Sequence, residues 1–225
     1  MAQSSLICEC VVSQPFEENT YLIHLPGKQE CLIVDPGLEP MKIDQAIKEK
    51  DLRPVVILNT HGHSDHIAGN EFCKQTYSDC PLIIGSGDAP KLSDPQLNLS
   101  APFGLELISP AADLEVNEGD QLEFGGIQLE VIDAPGHSCG HVVFLCRQST
   151  PFVVIGGDVL FQGSIGRTDF PDGSLQQLTA AIQQKLFTLP PDTIVLPGHG
   201  GPTTIGEEIR SNPFVGMPAG FTAND

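Results

Sequence analysis

The chain has 225 residues, 40% of them hydrophobic, and its 23 Gly and 19 Pro suit one large core cut into short elements by tight turns. Eleven Lys and Arg against 29 Asp and Glu give a formal charge of −18. No basic stripe stands out, which argues against nucleic acid as a partner. No segment approaches the roughly 20 apolar residues that span a bilayer, so no membrane partner is expected either.

Hydrophobic patterning predicts strands over 6–12, 20–25 and 31–34, then a helix over 40–50. A strand over 54–58 runs into a histidine-rich loop, followed by a helix over 65–78. Residues 86–113 hold several Pro, Ser and Asp with little periodicity and read as a surface loop or lid beside a cleft. Short strands return over 120–124, 127–132, 141–146 and 152–156. A helix starts at Ser174, which has capping-box spacing to Gln177, and continues to about Phe187. A strand over 193–196 follows, and Thr204 and Glu207 repeat the start signal for a short terminal helix. Strands and helix followed by strands and helix predict an α/β fold of two similar halves, packed as a four-layer αββα sandwich. No charge run or polar linker marks a boundary, so residues 1–225 read as one domain.

The cysteines Cys8, Cys10, Cys31, Cys73, Cys80, Cys139 and Cys146 are odd in number and form no C-x-x-C pair. They read as reduced thiols of a cytoplasmic protein. Residues 1–7 lack the basic stretch and apolar core of a secretion signal.

Four apolar runs, 55–58, 129–132, 152–155 and 193–196, each lead into a Gly- or Pro-containing loop that carries histidine or aspartate. His61 and His63 stand at i, i+2 in an extended loop and project the same way. Asp65 and His66 fall in the first turn of the following helix. His137 and His199 each follow Pro-Gly, and Asp158 follows Gly-Gly, where the backbone can approach a crowded centre. Strand ends that all deliver imidazole and carboxylate point to a metal site at one rim of the sheets, suited to zinc and also to iron or manganese. His24 lies in a strand away from these loops, and His141 reads as a support for the ligand loop. Asp35, which also ends an apolar run, is either part of a turn or a group that orients a ligand histidine.

The run His61-Gly62-His63-Ser64-Asp65-His66, with His137, Asp158 and His199 in order, resembles the signature of the metallo-β-lactamase superfamily. Gly157-Asp158-Val159-Leu160-Phe161, residues 163–170 and Pro197-Gly198-His199-Gly200 resemble its small glyoxalase II (hydroxyacylglutathione hydrolase) branch. The resemblance implies an αββα sandwich and two divalent ions, with zinc the first expectation. His61, His63 and His137 would hold one ion, Asp65, His66 and His199 the other, and Asp158 would bridge them. It also implies hydrolysis of a small-molecule thioester, such as a glutathione derivative, by a hydroxide shared between the ions and aimed by Asp65. Two such ions would leave a locally positive centre in an acidic protein. Arg167 would clamp a substrate carboxylate, or else pair with Asp169 or Asp172. Larger glyoxalase II enzymes hold glutathione partly with a C-terminal helical domain, and only a short tail follows His199 here. The main rival is a persulfide dioxygenase of the same fold with one iron, which shares the 166–170 stretch. A lactonase comes next, ahead of an exported β-lactamase or a basic tRNA nuclease.

Overall fold

Alternate side chains of each strand feed two different cores, and this period of two sets the layers. The computed structural model describes residues 5–222. The first sheet has the order β1 (Ile7–Ser13), β2 (Glu18–His24), β3 (Glu30–Val34), β4 (Arg53–Asn59), β5 (Leu82–Gly85) and β6 (Leu114–Val116). Tyr21, Ile23, Leu32, Val34, Val56 and Leu58 point toward the second sheet, while Leu22, Ile33 and Ile57 point the other way. That outer face is covered by Ile43 and Ile47 of α1 (Pro40–Glu49), Ile67 of α2 (Ser64–Ile67) and Cys73 of α3 (Asn70–Thr76).

The second sheet repeats the logic with β7 (Gln121–Phe124), β8 (Ile127–Asp133), β9 (Val142–Cys146), β10 (Val153–Gly157), β13 (Ile194–Pro197) and β14 (Thr203–Thr204). Val131, Phe144, Ile155 and Leu196 join the central core between the sheets. Ile132, Val143, Leu145, Val154 and Val195 face Leu178 and Ile182 of α4 (Leu175–Gln184) and Ile205 of α5 (Ile205–Ser211). Three apolar layers between four layers of structure make the αββα sandwich. A small hairpin, β11 (Leu160–Phe161) and β12 (Ser164–Ile165), follows β10.

Both predicted helix starts form as read: Ser174 accepts from the Gln177 N–H and Thr204 from the Glu207 N–H. The helix expected over 65–78 is broken instead at Ala68 and Gly69. The Gly69 N–H donates to the Pro36 carbonyl at 2.7 Å, and a Cβ there would meet Pro36 and Gly37 at 2.9 Å. The loop after β3 therefore sits where a straight helix would run. The segment 86–113 is less loose than its composition suggests. Two 3₁₀ turns, Ala89–Ser93 and Ala101–Phe103, cross it, and Asp88, Lys91, Leu92, Asn98, Ser100 and Ser109 are buried. Strands β5 and β6, at four and three residues, give too short a pattern to read from sequence. All seven cysteines are free. Among the described residues no helix is long and apolar enough to cross a membrane.

Phe144 is fully buried between the sheets. Phe144→Ala is expected to cost about 3–5 kcal/mol of stability, whereas Ser174→Ala, which removes only a helix cap, costs about 0.5–2 kcal/mol. Urea unfolding of the two variants tests the order.

Candidate metal centre

Five strand ends meet at one rim. β3 and β4 run parallel, as do β10 and β13, and β8 runs with β10 because both are antiparallel to β9. The loops leaving these strands carry Asp35, residues 61–66, His137, Asp158 and His199. Gly157 allows the close approach: its φ is +47°, and a Cβ there would strike Thr60 and meet His141 Nε2 at 2.7 Å. α2 starts directly after His63, so Asp65 and His66 turn back over the same rim.

The structure brings together all seven residues singled out as ligands, in two groups. Ligand atoms of His61, His63 and His137 lie within 4.8 Å of one another, and so do those of Asp65, His66 and His199. Asp158 stands between the groups. Its Oδ2 is 3.4 Å from His137 Nε2 and 3.5 Å from His199 Nε2, and its Oδ1 is 3.5 Å from His66 Nε2. Asp65 Oδ2 lies 3.4 Å from His199 Nε2 and 3.7 Å from His66 Nε2. His63 Nδ1 approaches His137 Nε2 at 2.9 Å.

Partners outside the cluster fix how four of the rings point. His66 Nδ1 donates to Asp35 Oδ2 at 3.1 Å, His137 Nδ1 to the Arg167 carbonyl at 2.9 Å, and His199 Nδ1 to the Phe16 carbonyl at 3.0 Å. Thr60 Oγ1 gives its proton to Asp35 Oδ2 at 2.6 Å, so it accepts from His61 Nδ1 at 3.1 Å. With each Nδ1 acting as donor, the ring in its neutral, ligating form would turn the Nε2 lone pair into the centre.

Burial pushes the His61 pKa well below its usual value and brings His63 to about 3, helped by the neighbouring rings. On the other side, burial opposes charge on His66 and His199, but carboxylates outweigh it. Asp158, Asp65 and Asp35 hold the His66 pKa well above normal, and Asp158 and Asp65 lift His199 to about 10. Burial likewise opposes ionisation of Asp65 and Asp158. His66 and His199 outweigh it for both, with His137 adding at Asp158, and both carboxyls are pushed down.

These residues fit a metal pair. Buried Nε2 of His61 and His66 and Oδ1 of Asp158 have no hydrogen-bond partner, which is costly unless something else satisfies them. A cation in each group would satisfy all three. The mixed imidazole and carboxylate set suits zinc, iron or manganese alike.

His141 supports the centre: its ring stacks on His61 at 4.7 Å, and its Nε2 accepts the Asp158 N–H at 3.0 Å. His24 stays away, beside the Leu25 carbonyl. Of the two readings of Asp35, the geometry favours the orienting one. Sequence reading passed over Thr60, although it adjoins His61, and also a buried cluster in the 86–113 segment and the loop after β8. Asp88 accepts from the Gly62 and Gly140 N–H groups at 2.8 Å each and from the Ser138 hydroxyl, fastening the two histidine loops together. Asp88, Cys139 and Asp172 resemble a third ligand group. A cation already occupies it, since Lys91 Nζ lies 2.6 Å from Asp172 and 3.3 Å from Asp88.

A cavity of about 420 Å³ opens over the centre, walled by Phe16, Leu99, Phe103, Phe161, Ile165 and Phe170. Arg167 also lines it, but the guanidinium is engaged: it donates twice to Asp169, at 2.7 Å each, and lies 4.5 Å from the Phe170 ring centre.

A profile of the metallo-β-lactamase superfamily matches residues 14–199. The chain is 41% identical over 202 residues to the probable metallo-hydrolase YqgX of Bacillus subtilis strain 168, covering 89% of this chain and 93% of the relative. It is 40% identical over 210 residues to the hydroxyacylglutathione hydrolase GloC of Haemophilus influenzae, covering 92% and 97%. Among solved structures it resembles the BLEG-1 B3 metallo-β-lactamase (TM-score 0.88, 35% identity, 93% and 99% covered). It also resembles TTHA1623 in a di-iron-bound form (0.81, 35%, 92% and 99%) and ETHE1 from Myxococcus xanthus (0.76, 28%, 94% and 85%).

Asp35 touches no proposed ligand atom directed at the centre, yet it holds His66 directly and His61 through Thr60. Asp35→Ala is expected to weaken metal binding about 10–100-fold, read by competition with a chelator of known affinity. Unchanged affinity would remove its orienting role.

Proposed function

This chain belongs to the metallo-β-lactamase superfamily of metallo-hydrolases, and from that premise we propose that it hydrolyses a small-molecule thioester with a pair of divalent ions. The observation that carries this reading is that both ligand groups are complete and Asp158 reaches each of them. The single-iron rival would leave Asp65, His66 and His199 without a role. The likeness to GloC, named a hydroxyacylglutathione hydrolase, supports the thioester among the substrates open to the fold.

His61, His63 and His137 would hold one ion and Asp65, His66 and His199 the other, with Asp158 shared. When bound, such a pair supplies water ionised near neutral pH and an electrophilic pull on a carbonyl. In the net reaction the water oxygen bonds to the acyl carbon and the C–S bond breaks with its electron pair passing to sulfur; one water proton ends on the thiol, and the other is released to solvent as the acid product ionises to a carboxylate. Asp65 is held ionised and lines the cavity, so it can accept a hydrogen bond from the attacking water and aim it. With substrate in the cavity, the apolar walls would exclude bulk water from the centre. Arg167 would meet a substrate carboxylate by exchanging Asp169 for it. Zinc, iron and manganese all remain compatible with the donors. The chain would act as one domain in a reducing cytoplasm, in keeping with seven free cysteines, and without a nucleic-acid or membrane partner.

The metal-loaded protein is expected to bind about two ions per chain and to hydrolyse acetyl- or lactoylglutathione without consuming oxygen. Asp158→Ala should lose that turnover and bind one ion or none. Oxygen uptake with glutathione persulfide, or turnover of a chromogenic cephalosporin in place of any thioester, would replace this reading with the dioxygenase or the lactamase.

A further inference from the structure

The cavity over the centre is apolar where a glutathione-specific site needs charge. Glutathione carries two carboxylates and an ammonium group, yet apart from the proposed metal ligands Arg167 is the only basic side chain among the described residues of the lining, and it already has a bidentate partner in Asp169. Phe16, Leu99, Phe103, Phe161, Ile165 and Phe170 make up most of the wall above the metal-binding groups, with Ser64 and Ser164 the uncharged polar members. Phe103 is 63% exposed, and its ring meets Phe16 edge-on at 5.5 Å. An exposed aromatic pair at the mouth gains burial only when something apolar covers it.

Leu99 makes the case specific. Its φ of +67° is a left-handed conformation that glycine adopts freely and leucine does not. The chain holds it there through buried Asn98, whose side-chain amide donates to the Lys91 and Leu107 carbonyls at 3.1 and 2.9 Å. The Asn98 side-chain oxygen accepts from the Ser100 N–H at 3.0 Å, and its backbone carbonyl accepts from the Ser64 N–H at 2.8 Å. Ser64 is the first residue of α2, next to Asp65. The strained turn is thus tied to the metal-binding helix and delivers a leucine, where glycine would be easier, into the cavity wall.

We propose that this cavity selects thioesters carrying an extended apolar group, alkyl or aryl, beside the scissile bond, and that Leu99 and Phe103 are the residues that read it. The inference takes its reaction from the thioesterase reading, but the apolar pocket is testable apart from it.

Three series on the metal-loaded full chain make the test. The first is acetyl-, butyryl- and hexanoylglutathione, and the second is the acetyl thioesters of ethanethiol, butanethiol and hexanethiol. The third, butanone, 2-hexanone and 2-octanone, cannot be hydrolysed and is followed by NMR titration. The expected result is that kcat/KM rises about fourfold per methylene in the first or second series, which tells the acyl side from the thiol side. Ketone affinity should rise along its series as well. Turnover that is flat in both thioester series overturns the apolar selection and leaves the thioesterase intact. Absence of all thioester turnover with rising ketone affinity overturns the thioesterase reading and supports the pocket, whereas flat ketone affinity as well overturns both. Leu99→Gly, which relieves the backbone strain and should unfold no more easily than wild type, and Phe103→Ala are expected to flatten the chain-length dependence. Leu97→Ala, an exposed change in the same segment but outside the lining, should leave the dependence in place. If Leu97→Ala flattens it equally, or the other two leave it untouched, the assignment to Leu99 and Phe103 falls.

Discussion

The centre depends on its outward-facing imidazole nitrogens being engaged before any ion arrives. A free histidine offers either nitrogen, and a ring that can flip points its lone pair at the ion only part of the time. Here Asp35, Thr60 and the carbonyls of Phe16 and Arg167 each take an Nδ1–H. Four Nε2 atoms are thereby committed to one small volume. Asp35 is the most heavily used of these partners, because it accepts from His66, from the Thr60 hydroxyl and from the Thr60 N–H at 2.7 Å. A carboxylate buried this deeply is tolerated only when several donors share its charge.

Those four acceptors come from separate parts of the chain: the turn before β2, the end of β3, the end of β4 and the loop after β12. Only the sandwich assembles them. Strands that run the same way within each sheet bring their loops to a common rim, and pairing of the two sheets through their apolar faces brings the two rims together. The packing of Phe144, Leu58 and their neighbours between the sheets is therefore a condition of the site as well as of stability. The polar cluster of Asp88, Ser138 and Lys91 adds a local tie, joining the backbone beside His61 and His63 to the backbone beside His137 and His141.

Much of this was legible in the sequence because metal-ligating residues at strand ends are a local signal. The residues from His61 to His66 stand within six positions, and His137, Asp158 and His199 each follow glycine after an apolar run. Alternating burial in the longer strands and the caps at Ser174 and Thr204 are local as well. What escaped was either too short or too distant in sequence. β5 and β6 are four- and three-residue strands whose identity comes from their neighbours. The break between α2 and α3 is imposed by Pro36 and Gly37, about thirty residues upstream. Asn98 and Asp88 look like ordinary loop polar residues, and only tertiary contact shows that they replace backbone hydrogen bonds in the 86–113 segment. Sequence alone allows Arg167 a substrate carboxylate, Asp169 or Asp172, and the fold pairs it with Asp169 because Lys91 has claimed Asp172.

Backbone strain follows the same map. Among the described residues, four that are not glycine have positive φ: Glu17, Asp35, Asp51 and Leu99. Asp51 follows the end of α1, where a left-handed residue commonly closes a helix. The other three border the centre. Glu17 lies in the turn that presents the Phe16 carbonyl to His199, Asp35 holds His66, and Leu99 lines the cavity. Each such conformation costs on the order of 1–3 kcal/mol, and evolution toward stability alone would place glycine or asparagine there. At Glu17 and Asp35 the strain aims a hydrogen-bond acceptor at a proposed ligand, which explains why it is kept. At Leu99 the turn directs the preceding Asn98 carbonyl to the Ser64 N–H and also sets an apolar side chain in the cavity wall. Glycine would hold that carbonyl at lower backbone cost, so the turn alone does not account for leucine, whereas the proposed apolar pocket does.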